Sequence, residues 1–220
     1  MKASFTGLVV IIGLFSISGL SQARSITQAD LIKISYDAEI ATKKVFPRRL
    51  VAEKKNFENG KLTSSSIVTS ESDSENNEHI VDIYKEEQTT KIRELIRIGE
   101  TYYCRDDKTP WKQSTKYCGA IGASAFPNTK TSKITVEEIV VNGARQKYYS
   151  SYVTHQGWLG SNDESQPLKF IDTKFWVNEN GSSNRWEQTK GLLASKEILQ
   201  TTSLDYQYKV DVPRITAPMR

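Results

Sequence analysis

The chain has 220 residues, 37% hydrophobic and 25% charged, and its 30 basic and 26 acidic side chains leave a formal net charge of +4. That length suits one domain with a sizeable core, and so small a net charge excludes a dedicated nucleic-acid binder, which needs a concentrated basic face. Two cysteines exclude a disulfide-dense miniprotein and a four-thiolate zinc site, and the apolar content is too high for a disordered chain.

Residues 1–23 read as a secretory signal. Lys2 gives a charged start, residues 8–20 (LVVIIGLFSISGL) are almost wholly apolar, and Ser21-Gln22-Ala23 ends in small residues at the positions a signal peptidase reads. The apolar run would make roughly 20 Å of helix, short of a ~30 Å hydrocarbon core, so it does not read as a permanent membrane anchor. Export is therefore expected, to a periplasm or to the outside, with residues 24–220 as a single domain. In such an oxidising compartment Cys104 and Cys118 are expected to close a loop as a structural disulfide, since a redox pair more often has C-x-x-C spacing.

Thr27 followed by Asp30 is a helix-capping pair, and Leu31, Ile34, Ala38 and Ala41 form one apolar stripe, predicting an amphipathic helix over 27–45 that ends before Pro47. From residue 62 onward the period changes to two. Strands are predicted over 62–70, 79–85, 91–97, 100–105, 133–141, 146–155, 168–177, 185–190, 196–206 and 209–215, all rich in β-branched and aromatic residues. Asn59-Gly60, Asn142-Gly143 and Asn180-Gly181 supply hairpin turns, so neighbouring strands should be antiparallel. Residues 70–78 (SESDSENNE) read as a solvated loop, and 108–132 as a long flap. The expected fold is a β-rich α+β domain: a strongly curved antiparallel sheet, an open or half barrel, covered by the N-terminal helix and the flap. One helix cannot cover either face of so many strands, so the sheet must curl, leaving room for an apolar cavity.

These elements, in this order, resemble the periplasmic lipoprotein-carrier family, the LolA-like proteins. The likeness rests on the helix leading to Asn59-Gly60-Lys61 and the Ser/Thr-rich strand after it, the IRIGETYYC segment ending at Cys104, and the lone Trp111 soon after. It continues through the hairpin from Val141 to Tyr149, the strand holding Phe175 and Trp176, and the closing Leu204-Asp205-Tyr206 and Ala217-Pro218. It implies a sheet wrapped around helical cover and a hydrophobic cavity for lipid or acyl chains, with no catalytic residue. Two features depart from the family pattern: the segment between Cys104 and Cys118, and the single long helix.

Other chemistries find little support. His79 and His155 are the only histidines and lack further ligands at metal-site spacing. Ser124 lacks the second glycine of a nucleophile elbow. Glu137 and Glu138 are adjacent on a predicted strand and would face opposite sides. No metal, cofactor or enzymatic activity is expected. The basic residues Lys43, Lys44, Arg48, Arg49, Lys54 and Lys55 read as a solvated face, or as contacts to anionic lipid headgroups. The candidate ligand-binding residues are Leu31 and Ile34 on the cavity roof, Trp111 at its mouth, and Tyr148 and Tyr152 from one face of a strand. The expected function is binding, with shuttling, of a lipid, acylated or other hydrophobic ligand, with an envelope protein as further partner. The alternative is a sensor or protein-interaction module on the same fold.

Overall fold

The computed structural model describes residues 23–118, 132–141, 143–156 and 167–218. Residues 1–22 of the expected signal segment 1–23, the interior of the flap (119–131) and Asn142 lie outside them. Thr27 caps the helix as its sequence requires: its hydroxyl oxygen accepts from the Asp30 N–H at 3.1 Å, and the Asp30 carboxylate accepts from the Thr27 N–H at 3.1 Å. The capped helix, α1, spans Gln28–Lys43. It follows a two-residue strand, β1 (Arg24–Ser25).

Eleven further strands follow: β2 (Arg48–Glu58), β3 (Lys61–Ser72), β4 (Asn77–Glu86), β5 (Thr89–Ile98), β6 (Thr101–Asp106), β7 (Lys112–Ser114), β8 (Ser132–Val141), β9 (Ala144–Gln156), β10 (Leu168–Asn178), β11 (Ser183–Leu192) and β12 (Ile198–Tyr208). They form one unclosed, curved antiparallel sheet in the order β1-β8-β9-β10-β11-β12-β2-β3-β4-β5-β6-β7. Two meanders, β2–β7 and β8–β12, are thus joined where β12 pairs with β2. Asn59 and Gly60, at φ 51° and 73°, make the two-residue turn between β2 and β3, the positive-φ pair a tight hairpin needs. The Cys104–Cys118 disulfide is present, with a Cα separation of 6.5 Å, and ties the segment after β7 back to β6.

Three expectations need correction. Arg48, Arg49 and Lys55, read as part of a solvated basic face, are half-buried on the central strand β2, whereas Lys54 is exposed as that reading expects. Residues 70–78 are not one solvated loop: Ser70 and Ser72 end β3 as buried residues and Glu78 belongs to β4, leaving only 73–76 as the turn. Residues 209–215 form no strand. Lys209 takes φ 56°, which ends the β conformation, and Pro213 has no N–H to offer a ladder. That tail is instead tied across the ends of β2 and β3, where the Ile215 N–H donates to Asp73 Oδ2 at 2.8 Å and Arg49 Nη2 donates to the Asp211 carbonyl at 3.4 Å.

Gly191 in β11 is a packing requirement. A Cβ there would lie 2.3 Å from the Glu197 carbonyl oxygen and 2.6 Å from the Phe170 ring. Gly191→Ala should therefore destabilise the fold by about 1–3 kcal/mol, the range for forcing an extra carbon into a packed site. Urea unfolding followed by tryptophan fluorescence measures it; an unchanged midpoint would show that the β11–β12 bend relaxes freely.

Candidate ligand-binding face

Residues directly opposite in an antiparallel pair share a face, so the strand registers trace one row of side chains across the sheet. Val136, Tyr149, Phe175, Trp186, Leu204, Ala52 and Val68 follow one another on seven successive strands, and the row turns polar at Asp82 and Arg93. Helix α1 sits on the first part of it. Ala38, 2% exposed, packs with Val136, Tyr149, Phe175 and Val177, and Ile26, Leu31, Ile34 and Trp186 close around them. Beyond Trp186 the apolar row continues as Leu204, Ala52 and Val68, which are only half-buried.

The C-terminal end of α1 is fastened at the junction of the two meanders. Thr42 Oγ1 donates to the Ala38 carbonyl at 2.7 Å and accepts from the Ser183 N–H at 2.8 Å. The Tyr208 hydroxyl donates to the Ser183 carbonyl. Arg48 Nη1 donates to the Thr42 carbonyl at 3.0 Å, and its guanidinium lies 4.8 Å from the centre of the Phe46 ring. Tyr206 stacks on Tyr208 with ring centres 6.4 Å apart. Burial, reinforced by Tyr208 and Glu39 and opposed by Arg48, pushes the Tyr206 phenol up to about 12.

An open cleft of about 570 Å³ lies beside the helix, floored by Ile34, Ala38, Ala41, Tyr149 and Val177. Its rim is charged, with Asp37, Glu138 and Glu179 against Arg145 and Lys147. The volume lies within the usual range for small-molecule sites. Among the described residues there is no group of three or more His, Cys, Asp or Glu side chains placed to hold a metal.

The five residues singled out in the sequence fall in three places. Leu31 and Ile34 face the sheet from α1, and Ile34 also lines the cleft. Tyr148 and Tyr152 lie on the opposite face, with ring centres 5.0 Å from Trp176 and 5.7 Å from Phe170. Trp111 lies at the far edge beneath the Arg105 guanidinium, 4.6 Å from its ring centre, and Arg105 in turn pairs with Glu94 on that same opposite face. His79 stands near Glu94 there too, 3.6 Å away. Tyr149, Trp186, Leu204 and Ala52 are not among the residues singled out in the sequence, although strand alternation by itself puts Tyr149 and Val153 on the face opposite Tyr148 and Tyr152. Which alternating set faces inward is decided by the position of α1.

No family profile matches the chain, and no curated protein matches its sequence. Solved structures do resemble it. The lipoprotein LppX of Mycobacterium tuberculosis aligns over 84% of this chain and 98% of its own, with a TM-score of 0.43 and 10% identity. LprF of Mycobacterium bovis aligns over 89% and 99%, with a TM-score of 0.42 and 12% identity. A LolA superfamily protein of Nitrosomonas europaea aligns over 82% and 94%, with a TM-score of 0.30 and 10% identity.

The raised Tyr206 pKa has a consequence for stability. An unfolded tyrosine ionises near 10, so between about 10 and about 12 the unfolded chain releases a proton that the folded chain keeps. Stability contributed below pH 10 should be lost across that interval, by about 2–3 kcal/mol for two units of difference. Denaturant midpoints should fall over this range in the parent and fall less in Tyr206→Phe. Parallel curves for the two proteins would exclude Tyr206 as the group responsible.

Proposed function

We propose that the protein binds an apolar molecule non-covalently against the helix-side face of its sheet. The observation that carries this is the apolar row itself: it runs past the cover of α1 and leaves Leu204, Ala52 and Val68 half-buried beside the packed cluster. Among the described residues only nine hydrophobic side chains are buried, too few to fill the inner face of so broad a sheet. A ligand with an acyl chain would gain about 0.8 kcal/mol for each CH₂ it removes from water there. The sequence resemblance to lipoprotein carriers favours the same class of ligand. Export, expected from residues 1–23, agrees with the Cys104–Cys118 disulfide, a bond that persists in oxidising compartments. No described helix is long and apolar enough to cross a membrane. In this reading the protein collects its ligand in the envelope or outside the cell and releases it to an acceptor, without covalent chemistry.

A second reading draws on the sheet edge. Beyond its short pairing with β1, β8 has no strand outside residues 137–141 among the described residues, and Val140 there is 67% exposed. An unprotected edge is a place where a partner's strand can add. Here Val140→Pro should abolish complex formation in size-exclusion chromatography with a candidate envelope partner and leave apolar-ligand binding intact.

For the primary reading, a neutral environment-sensitive dye such as N-phenyl-1-naphthylamine should bind saturably with near one-to-one stoichiometry. Leu204→Asp should weaken it by about tenfold or more, since it places a charge where the ligand's apolar surface would lie. Its far-UV circular dichroism should remain that of the parent. A dye that never binds, or that binds the variant as well as the parent, would overturn the proposal.

A further inference from the structure

The helix-side face changes character one step along the strands from the apolar row. The next inward positions on β11, β12, β2 and β3 are Gln188, Thr202, Lys54 and Ser66, and the next after those are Lys190, Gln200, Asn56 and Ser64. Each step is about 7 Å along a strand. The first inward acid on these four strands is the exposed Glu58, one step past Asn56 and beyond the bulge where β2 leaves the β3 register, and it pairs with neither lysine. The next by register are Asp82 and Glu86 on β4, two strands from β2, and Asp82 already accepts from Ser66 Oγ at 3.1 Å.

Two ammonium groups therefore share this strip without an acidic partner. Among the described residues neither Lys54 nor Lys190 makes an ion pair. Lys190 is half-buried; burial first, and then the charge of Lys54, hold its pKa below the ordinary lysine value. The amides between them are aligned: Gln200 Nε2 donates to Asn56 Oδ1 at 2.8 Å, and Asn56 Nδ2 donates to Ser64 Oγ at 2.8 Å. Each of these side-chain amides keeps a second N–H that could donate to an anion. Lysine stems commonly lie over apolar surface with their charges in water, which would account for Lys54 alone. It does not account for a second lysine beside it that is half-buried, like-charged and without an ion pair.

We propose that the ligand is an anionic amphiphile. Its apolar part lies on Trp186, Leu204 and Ala52, and its carboxylate or phosphate group sits between Lys54 and Lys190. This rests on the apolar-binding reading and names the chemistry of the head that accompanies the tail. An oxyanion there supplies the missing counter-charge for both ammonium groups and accepts from the free amide N–H groups. A neutral head leaves the half-buried Lys190 beside the charge of the exposed Lys54 with no counter-charge.

The test compares dodecanoate with dodecanol as competitors of the bound neutral dye, with inorganic phosphate as a control for a free-anion site. Dodecanoate should displace the dye at about tenfold lower concentration than dodecanol, as expected for charge-assisted hydrogen bonds on one ligand group. The double variant Lys54→Gln/Lys190→Gln should lose that advantage and keep its affinity for dodecanol, and Lys54→Arg/Lys190→Arg should retain the advantage. Equal displacement by acid and alcohol, or an equal loss of both in the glutamine variant, would overturn the proposal. So would phosphate that displaces the dye as effectively as dodecanoate, which would mark a free-anion site. Failure of the dye and dodecanol to bind at all would instead sink the apolar-binding reading on which this one stands.

Discussion

The pairing of β12 with β2 is the interaction on which the rest of the architecture depends. It joins Gln200–Tyr208 to Asn56–Arg48, strands drawn from opposite ends of the domain, and so makes one sheet of two meanders. Such a contact closes a long loop and is costly to form, but it makes the apolar row continuous from Val136 to Val68. The end of the helix is fixed at the same seam. Thr42, Ser183, Tyr208 and Arg48 come from α1, β11, β12 and β2, and their hydrogen bonds fix where the helix stops relative to the sheet. An opening of this seam would release the helix and split the row together.

The seam explains why a small core suffices. Twelve strands satisfy most of their backbone groups with one another, so the sheet does not need a thick hydrophobic layer to avoid stranded N–H and C=O groups. The opposite face is held by ordinary cross-strand pairs, such as Tyr148 with Trp176 and Arg105 with Glu94. Exposed or partly exposed ion pairs of this kind contribute little each. The apolar surface left beside α1 lowers the stability of the empty protein, and in the proposed reading a bound apolar molecule would raise it by linkage.

The inner face is graded. It is packed and dry beneath α1, half-buried and apolar across β12 and β2, and polar and basic at Lys54 and Lys190. A gradient of this kind arises from strands whose inward residues differ step by step, as in β2, where Arg48, Leu50, Ala52, Lys54 and Asn56 succeed one another. The same mixture made β2 hard to recognise. A strand shows in sequence when one alternating set is apolar, and neither set of β2 is. The helix was legible because Thr27 and Asp30 form a local reciprocal cap, and the β2–β3 turn because Asn-Gly tolerates positive φ. Both are contacts between near neighbours.

The sequence by itself determined most of the elements and the class of fold: a capped helix, many period-2 strands, and a count of strands against one helix that compels the sheet to curve. It also paired the two cysteines, because no other partner exists. What it left open was which face each strand turns inward. Tyr148 and Tyr149 are equally good strand residues, and only the seating of Ala38 on Val136 and Phe175 puts Tyr149 inside and Tyr148 outside. Likewise Lys54 and Lys190 are far apart in the chain and ordinary in composition. They come together only because β12, itself a late strand, lies between β11 and β2. Local chemistry writes turns and caps into the sequence, whereas the facing of a strand is fixed by what packs on it from elsewhere in the chain.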